Sequence, residues 1–432
     1  MDRVVLTSVV LGLVIRLLAC KYVSKGFLNS FTYSPLDQWQ STLEGVFLRN
    51  EGLSTYNNDI VHQMPLELRF WSLVMSSSGE GSTICLLLME LMMVFSVPIF
   101  ADICIKNILK LEEGNKSSSP KSLSMVLDKD KFQYARTLTI VWYCFNPYSV
   151  FSYAAQSTSI IWNIVNLWIL ITCCKGQLFL SACLCAIGCY LRLYPGYLLF
   201  PVIASAYNSS KSNSAVGRFI KILSPVGGFL IVLTGLMYAS FILEDKSWAF
   251  ISSVYIHQIR MADYTPQLGV YWYFFAEMFE HFEELFIWVF QILLASLVVG
   301  MTMRFHYDPT YLAWLITLIT NVLQPYYCVG EFGYLLSVLF VWSYLRQYAR
   351  MAIPTFCILL SAVVLAPLFH YMWLQPGVAN ANFYFAICMV HGVGHVTLVT
   401  DLLNSYTKRE FFLRVGSEPE LRTGRKLKLT HF

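Results

Sequence analysis

The sequence predicts an all-α polytopic membrane protein, because its apolar residues form long runs and its charged residues are few. Of the 432 residues, 56% are hydrophobic and only 13% are charged, whereas about a quarter of the residues in an average soluble domain are charged. The runs 83–105 and 219–243 each reach the roughly 20 residues that a helix needs to cross the hydrocarbon core. The net charge of +4 is mild and gives no indication of nucleic acid binding.

The first apolar run, 4–20, contains a single charge, Arg16. No convincing small-x-small cleavage pattern follows it, so we interpret it as an uncleaved first span rather than a signal peptide. The polar stretch 21–81 comes next and is the longest region of mixed polarity between spans. We expect it to form a loop with short interfacial helices.

Eleven further runs are predicted to be helical spans: 83–107, 133–150, 154–174, 177–193, 194–208, 219–243, 268–300, 309–324, 329–346, 352–374 and 381–405. With the first run they give about 12 transmembrane helices in one integral membrane domain, 1–432. The runs 194–208 and 309–324 are short and could instead be re-entrant.

The distribution of Lys and Arg predicts the orientation in the membrane. Basic residues concentrate in three segments outside the spans: the loop 108–131, the loop 208–221 and the tail 406–432. Because cytosolic segments carry the excess of Lys and Arg, we expect these segments and both termini in the cytosol, and 21–81 on the lumenal side. The sequons at Asn115 and Asn208 are then cytosolic and are expected to stay unmodified.

The aromatic and acidic segment 272–290 is the first candidate site. Glu277 and His281 are four residues apart and would share one face of a continuous helix. Charges at a membrane boundary are costly unless they are solvated or paired. The spacing fits both a polar patch that faces a protein cavity and a solvated turn at the start of a span.

The second and third candidate sites lie close together near the end of the chain. Asn380 and Asn382 flank the start of the last span, where carboxamides and a helix N-terminus suit sugar hydroxyls and phosphate. Asn380 is equally suited to cap that helix. His391 and His395 have the i, i+4 spacing of half a zinc site, but the accompanying Glu is missing, so we predict no metal.

The loop 21–81 contains the acidic residues that a sugar transferase of the membrane would need. Asp37 stands alone there, without an Asp-x-Asp pair, and a solvated interfacial loop is the favoured interpretation. The 12 cysteines lie mostly inside apolar runs and form no pair of CxxC motifs, so neither a disulfide framework nor a metal cofactor is indicated. We expect no cofactor.

The chain resembles the PIG-U family of glycosylphosphatidylinositol (GPI) transamidase subunits. The longest matching segment is 265–282, which contains Phe279-Glu280-His281-Phe282. Shorter matching segments are 34–36, 146–149, 193–195, 379–383 and 408–412. The resemblance covers nearly the whole chain, although 324–330 matches the family pattern only loosely.

The resemblance implies a non-catalytic subunit in the endoplasmic reticulum membrane that binds and presents the GPI lipid for attachment to proprotein C-termini. It also implies a fold like that of the membrane-embedded GPI mannosyltransferases (GT-C-like). The implied partners are a PIG-K-like catalytic subunit together with the PIG-T, PIG-S and GPAA subunits. The residues expected to contact the lipid are Asn380, Asn382, Glu277, Glu280, His281 and Phe282.

Three alternatives remain at this point. A glycosyltransferase of the GPI pathway that uses a dolichol-phosphate sugar would need a lumenal carboxylate, with Asp37 the best candidate. A transporter or scramblase would show two related halves with broken helices, and no such symmetry is visible. A pure scaffold would keep the partner subunits without binding the lipid.

Overall fold

The computed structural model describes residues 2–77, 81–116, 127–210 and 214–415, and within these ranges all regular structure is helical. In chain order, the first helices are α1 (Asp2–Tyr22), α2 (Lys25–Thr32), α3 (Trp39–Asn50), α4 (Pro65–Ser77), α5 (Gly81–Lys116), α6 (Ala135–Phe145), α7 (Pro147–Ala154), α8 (Ser159–Cys174), α9 (Leu178–Leu191) and α10 (Leu199–Ser209). Two 3-10 helices, Lys129–Phe132 and Tyr194–Leu198, precede α6 and α10.

The remaining helices are α11 (Ala215–Leu243), α12 (Ala249–Ile251), α13 (His257–Arg260), α14 (Tyr271–Ala276), α15 (Glu280–Phe305), α16 (Pro309–Leu323), α17 (Val329–Val338), α18 (Ala352–Leu374) and α19 (Ala381–Val415). A π-helical turn, Ser252–Ile256, joins α12 to α13, and a 3-10 helix, Leu339–Gln347, follows α17.

Within the described residues, six helices are long and apolar enough to cross a membrane: α1, α5, α11, α15, α18 and α19. The helices α8, α9 and α16 are also apolar but have only 14 to 16 residues. The predicted class, an all-α membrane protein, is therefore confirmed. The count of about 12 spans and the mannosyltransferase-like fold stay predictions.

The run predicted as one span at 133–150 is divided at Asn146 into α6 and α7. The side chain of Asn146 accepts a hydrogen bond from the backbone N–H of Tyr148 and caps α7, and Pro147 occupies the first turn. Its Nδ2 atom donates to the carbonyl oxygen of Gly333 at 2.9 Å. Because proline has no N–H to continue the preceding helix, the Asn-Pro pair both ends α6 and ties the break to α17.

The helix α16 forms the centre of the bundle. Nearly every residue from Thr310 to Asn321 is buried, as expected of a helix that is apolar on all faces. The indole of Trp314 stacks on that of Trp342, with 4.2 Å between the ring centroids. The short run predicted at 309–324 is therefore a core helix around which longer helices pack.

Two buried ion pairs join α5 to helices from both ends of the chain. Arg16 in α1 pairs with Glu90 at 2.6 Å, and its guanidinium also donates to the carbonyl of Cys144 at 2.7 Å. Arg409 in α19 pairs with Glu112 at 2.7 Å. Charges inside apolar helices are expected to pair in this way, so Arg16 holds helices together rather than interrupting its span.

The polar regions predicted from the sequence are partly helical. The stretch 21–81 contains the short helices α2, α3 and α4, and its interfacial, lumenal position stays a prediction. The helix α5 continues to Lys116, into the predicted loop 108–131, and α19 continues to Val415, into the predicted tail 406–432. Residues 117–126 and 416–432 of these two segments lie outside the described residues.

Candidate functional site

The turn between α14 and α15 carries four of the predicted site residues. Glu277 caps the end of α14, Phe279 has an extended backbone, and α15 begins at Glu280. Glu277 and His281 therefore lie on different helices and do not share one helical face. All the side chains at this turn are exposed except for Met278, which is half-buried, and the imidazole of His281 lies 4.0 Å from the ring of Phe282. The turn presents acidic and aromatic groups outward.

The other two predicted residues begin α19, next to α14. The hydroxyl of Tyr273 donates to the carboxamide oxygen of Asn382, and the Tyr273 ring stacks on Phe385 with 4.3 Å between the centroids. Asn380 accepts a hydrogen bond from the N–H of Phe383 at 3.4 Å, so it caps α19, as one of the two interpretations predicted. Partial desolvation and the neighbouring Glu277 carboxylate raise the pKa of Tyr273.

The structure thus brings Asn382, Tyr273 and Glu277 together at one end of the bundle. We call the surface formed by Tyr273, the turn 277–282, Asn380 and Asn382 the α14–α19 surface. Tyr273 was not among the predicted residues, although it lies inside the segment on which the prediction rested. Its contact with Asn382 joins two segments that are 109 residues apart in the chain.

A cavity of about 600 Å³, which we call the α19 cavity, lies along the same helix. Its lining begins at the segment 268–271, where α14 starts, and follows α19 from Met389 to Lys408. Most of the lining side chains are apolar, and Arg350 and Lys408 lie at the far end. The cavity and the α14–α19 surface therefore occupy successive parts of one helix.

The histidine pair of α19 lies against this cavity and is bonded to tyrosines. His391 hydrogen-bonds the hydroxyl of Tyr148 at 3.2 Å, and His395 hydrogen-bonds that of Tyr327 at 3.3 Å. Among the described residues, no group of three or more His, Cys, Asp or Glu side chains is placed to hold a metal ion. The pair acts as a packed, hydrogen-bonded part of the helix interface.

Asp37 lies in a buried polar cluster rather than in an open loop. Its side chain is 3% exposed and accepts a hydrogen bond from the hydroxyl of Ser157 at 2.6 Å. Burial raises the pKa of Asp37 to about 6, while the Ser157 hydroxyl and the charge of Arg192 act in the opposite direction. Burial also raises the pKa of Glu67 in α4 to about 8.

The same cluster contains two charged residues from the apolar runs, Arg192 and Glu331. The guanidinium of Arg192 lies 4.4 Å from the ring centroid of Trp162. The carboxylate of Glu331 accepts hydrogen bonds from Asn321 at 3.0 Å and Gln324 at 3.3 Å. We did not predict either charged residue as part of a site. The signal was present, because an ionisable residue inside a membrane span marks a functional site by default.

The cavities that border this cluster in the described part of the chain are much smaller than a sugar. Two small cavities border it, of about 10 Å³ beside Arg192 and Glu331 and about 20 Å³ beside Ser157 and Asn163. Each has room for about one water molecule. A carboxylate enclosed in this way is poorly placed to act on a dolichol-linked sugar, which disfavours the glycosyltransferase alternative.

Comparisons with known proteins identify the family of this chain. Residues 10–391 match the family model described as GPI transamidase subunit PIG-U. The GPI-anchor transamidase component PIGU of Mus musculus is 29% identical over 389 residues, which cover 89% of this chain and 88% of the relative. The Homo sapiens protein of the same name is 28% identical over 390 residues, with the same coverage. The GPI transamidase component GAB1 of Saccharomyces cerevisiae is 28% identical over 377 residues, or 85% of each chain.

Proposed function

Because the chain belongs to the PIG-U family of GPI transamidase subunits, we propose that it is a non-catalytic subunit of that complex which binds the GPI lipid and presents it for attachment. The observation that carries the proposal is the contact between Tyr273 and Asn382, which assembles carboxamide, hydroxyl and carboxylate groups beside an exposed aromatic turn. The proposed site is the α14–α19 surface.

The groups on this surface suit the polar part of a GPI lipid. The carboxamide of Asn382 and the hydroxyl of Tyr273 can both donate and accept hydrogen bonds, as sugar hydroxyls require. The N-terminus of α19 favours the negative charge of a phosphate. Glu277 and Glu280 supply carboxylates that can attract an amine. The surface therefore offers a complementary group for each polar component of the lipid.

The apolar part of the lipid would lie along α15, which starts at this turn. Leu285, Trp288 and Ile292 are 57%, 56% and 63% exposed, and Phe282 precedes them on the same helix. Exposed apolar side chains on a membrane helix face acyl chains. A lipid whose head is held at the turn can thus extend its chains along α15 without burying a polar group.

The contribution to the reaction would be positional. We propose that the nucleophile that forms the acyl-enzyme belongs to a PIG-K-like subunit and that PIG-T, PIG-S and GPAA subunits complete the complex in the endoplasmic reticulum membrane. Holding the ethanolamine amine of the lipid near that acyl-enzyme can supply part of the roughly 7–11 kcal/mol available from proximity and orientation. About 12 spans, cytosolic termini and a mannosyltransferase-like fold belong to the same proposal.

The test is to express Asn382→Ala and Tyr273→Phe in cells that lack the subunit. We expect surface display of GPI-anchored proteins to fall several-fold, and the amount of GPI that copurifies with the complex to fall with it, while the partner subunits are retained. Asn57→Ala is the control, because Asn57 is an exposed carboxamide in the loop between α3 and α4.

Unchanged display and unchanged GPI recovery in both variants would contradict the proposal. Loss of the partner subunits together with GPI would instead assign these residues to a contact between subunits, which is the scaffold alternative. The lipid and protein measurements on one purified sample separate the two outcomes.

A further inference from the structure

The α19 cavity is open toward the side of the bundle. Met389, Val393 and Val396 line it and are 46%, 52% and 54% exposed. Gly392 lies among them, and a Cβ atom there would meet only Val270, at 3.4 Å, which is ordinary van der Waals distance. An apolar chain can therefore enter from the bilayer without displacing a side chain.

The depth of the apolar part matches one leaflet of a membrane. The stretch of α19 from Met389 to Thr400 rises about 17 Å at 1.5 Å per residue, and half of a typical hydrocarbon core is about 15 Å. The polar groups of His391 and His395 do not oppose an apolar occupant, because each imidazole is hydrogen-bonded to a tyrosine. The cavity thus fits a single acyl chain along its length.

The far end of the cavity is positively charged. Arg350 and Lys408 line it, and neither side chain forms an ion pair with any residue in the described ranges. Asp401 also lines this end, and its carboxylate accepts hydrogen bonds from the backbone N–H groups of Arg350 and Met351, at 3.0 and 3.2 Å, and so caps α18. The two cations outnumber this one carboxylate, so the formal charge at this end of the cavity is positive and suits an anionic group.

We propose that the α19 cavity binds an anionic glycerophospholipid, with one acyl chain against α19 and the phosphate between Arg350 and Lys408. This lipid is distinct from the one held at the α14–α19 surface. Asn382 and Lys408 are separated by about 39 Å along one continuous helix, more than the thickness of the hydrocarbon core. One head group cannot reach both sites, so the two lipids occupy opposite leaflets.

The experiment reconstitutes the purified complex into phosphatidylcholine vesicles that contain a small fraction of photoactivatable lipid. The probe is a phosphatidylserine with a diazirine in one acyl chain, compared with the phosphatidylcholine that carries the same chain. We expect phosphatidylserine to label the 389–400 part of α19 several-fold more than phosphatidylcholine does. Arg350→Gln with Lys408→Gln should reduce its labelling to the phosphatidylcholine level, and Gly392→Leu should abolish the labelling by both.

Two matched controls accompany these variants. Arg346→Gln removes an exposed arginine that does not line the cavity, and Gly235→Leu adds the same side chain at an exposed glycine of α11. Equal labelling by the two lipids, or labelling unaffected by Gly392→Leu, would overturn the proposal. Loss of copurified GPI in Gly392→Leu would also overturn it, because the cavity would then hold GPI itself. If Gly392→Leu fails to fold, the Arg350→Gln, Lys408→Gln variant still tests the proposal, because it adds no side chain to the cavity.

Discussion

Asp37 connects a surface loop to the centre of the bundle, and its side chain occupies a position from which water is largely excluded. Its backbone carbonyl accepts a hydrogen bond from the N–H of Thr158 at 3.0 Å, and its carboxylate is bonded to Ser157. Such an arrangement fixes the loop before α3 against the start of α8. The carboxyl group therefore acts as a structural hydrogen-bonding group whose charge is unfavourable where it stands.

Replacing this carboxyl group tests both its pH behaviour and the glycosyltransferase alternative. Burial raises the folded pKa of Asp37 from 3.8 to about 6, so the native state binds more protons than the unfolded state between these values. The corresponding stability is fully present below about pH 3.8 and is lost as the pH rises to about 6. Asp37→Asn should therefore weaken the fall in thermal unfolding midpoint over this range and leave the surface display of GPI-anchored proteins intact.

The unfolding midpoint of the detergent-solubilised protein between pH 4 and 7 checks the first expectation. Asp59→Asn, at an exposed carboxylate of the same loop region, is the control and should follow the wild-type profile. If Asp37→Asn folded normally but abolished GPI-anchored protein display, a catalytic role for this carboxylate would replace the structural one.

At the scale of secondary-structure elements, the packing of α7 against α17 depends on a glycine, Gly333. A Cβ atom at Gly333 would lie 2.9 Å from the backbone nitrogen of Ser149 and 3.3 Å from Cβ of Tyr148. The carbonyl of Gly333 also accepts the hydrogen bond from Asn146 that holds the break between α6 and α7. Close approach of the two backbones therefore requires the absence of a side chain here.

Gly333→Ala should push α17 away from α7 and destabilise the folded protein by about 1–3 kcal/mol, the usual cost of overpacking. A lower unfolding midpoint in detergent and a lower yield of folded protein are the expected readouts. Gly300→Ala is the matched control, since nothing lies within 4 Å of its added Cβ and alanine favours a helix over glycine. Equal midpoints for the two variants would show that the α7–α17 contact tolerates a shift.

At the scale of the whole molecule, the sequence predicts those helices that coincide with long apolar runs. The spans at 219–243 and 352–374 agree with α11 and α18 because a run of that length has no competing structure. The breaks at Asn146 and Phe279 were not predicted, since each lies inside an apolar run and is set by local backbone geometry. The cluster around Asp37 joins α8, α16 and α17 to a distant loop, and single-sequence periodicity contains no information on such contacts.

In the candidate site, too, the segments could be predicted from the sequence and the contacts between them could not. The segments 265–282 and 379–383 were recognisable by resemblance, whereas the pairing of Tyr273 with Asn382 is a tertiary contact that only the structure reveals. The α19 cavity likewise depends on how α19 packs against the segment 268–271. Residue types on one helix predict which chemistry is available, but a cavity is formed by several elements together.

The orientation of the molecule in the membrane remains a prediction, and it decides which leaflet each proposed lipid occupies. Asn57 is exposed in the loop between α3 and α4, and Asp59→Thr makes it an N-glycosylation acceptor. The backbone carbonyl of Asp59, not its side chain, contacts His62 at 3.1 Å, so the substitution preserves that contact. With 21–81 in the lumen, the variant should gain one glycan that an endoglycosidase removes, as seen by gel mobility.

The wild-type chain should show no such change, because the sequons at Asn115 and Asn208 both face the cytosol in this orientation. Asn208 also donates a hydrogen bond to the carbonyl of His306 at 2.5 Å. Asp59→Ala is the control that separates a glycan from an effect of the substitution itself. An unmodified Asp59→Thr variant would place the loop in the cytosol. The α14–α19 surface would then have to be assigned to the other leaflet. If the Asp59→Thr variant carries a glycan and the wild-type chain and Asp59→Ala do not, the Arg350 and Lys408 end of α19 lies in the cytosolic leaflet. Anionic phospholipids are concentrated in that leaflet.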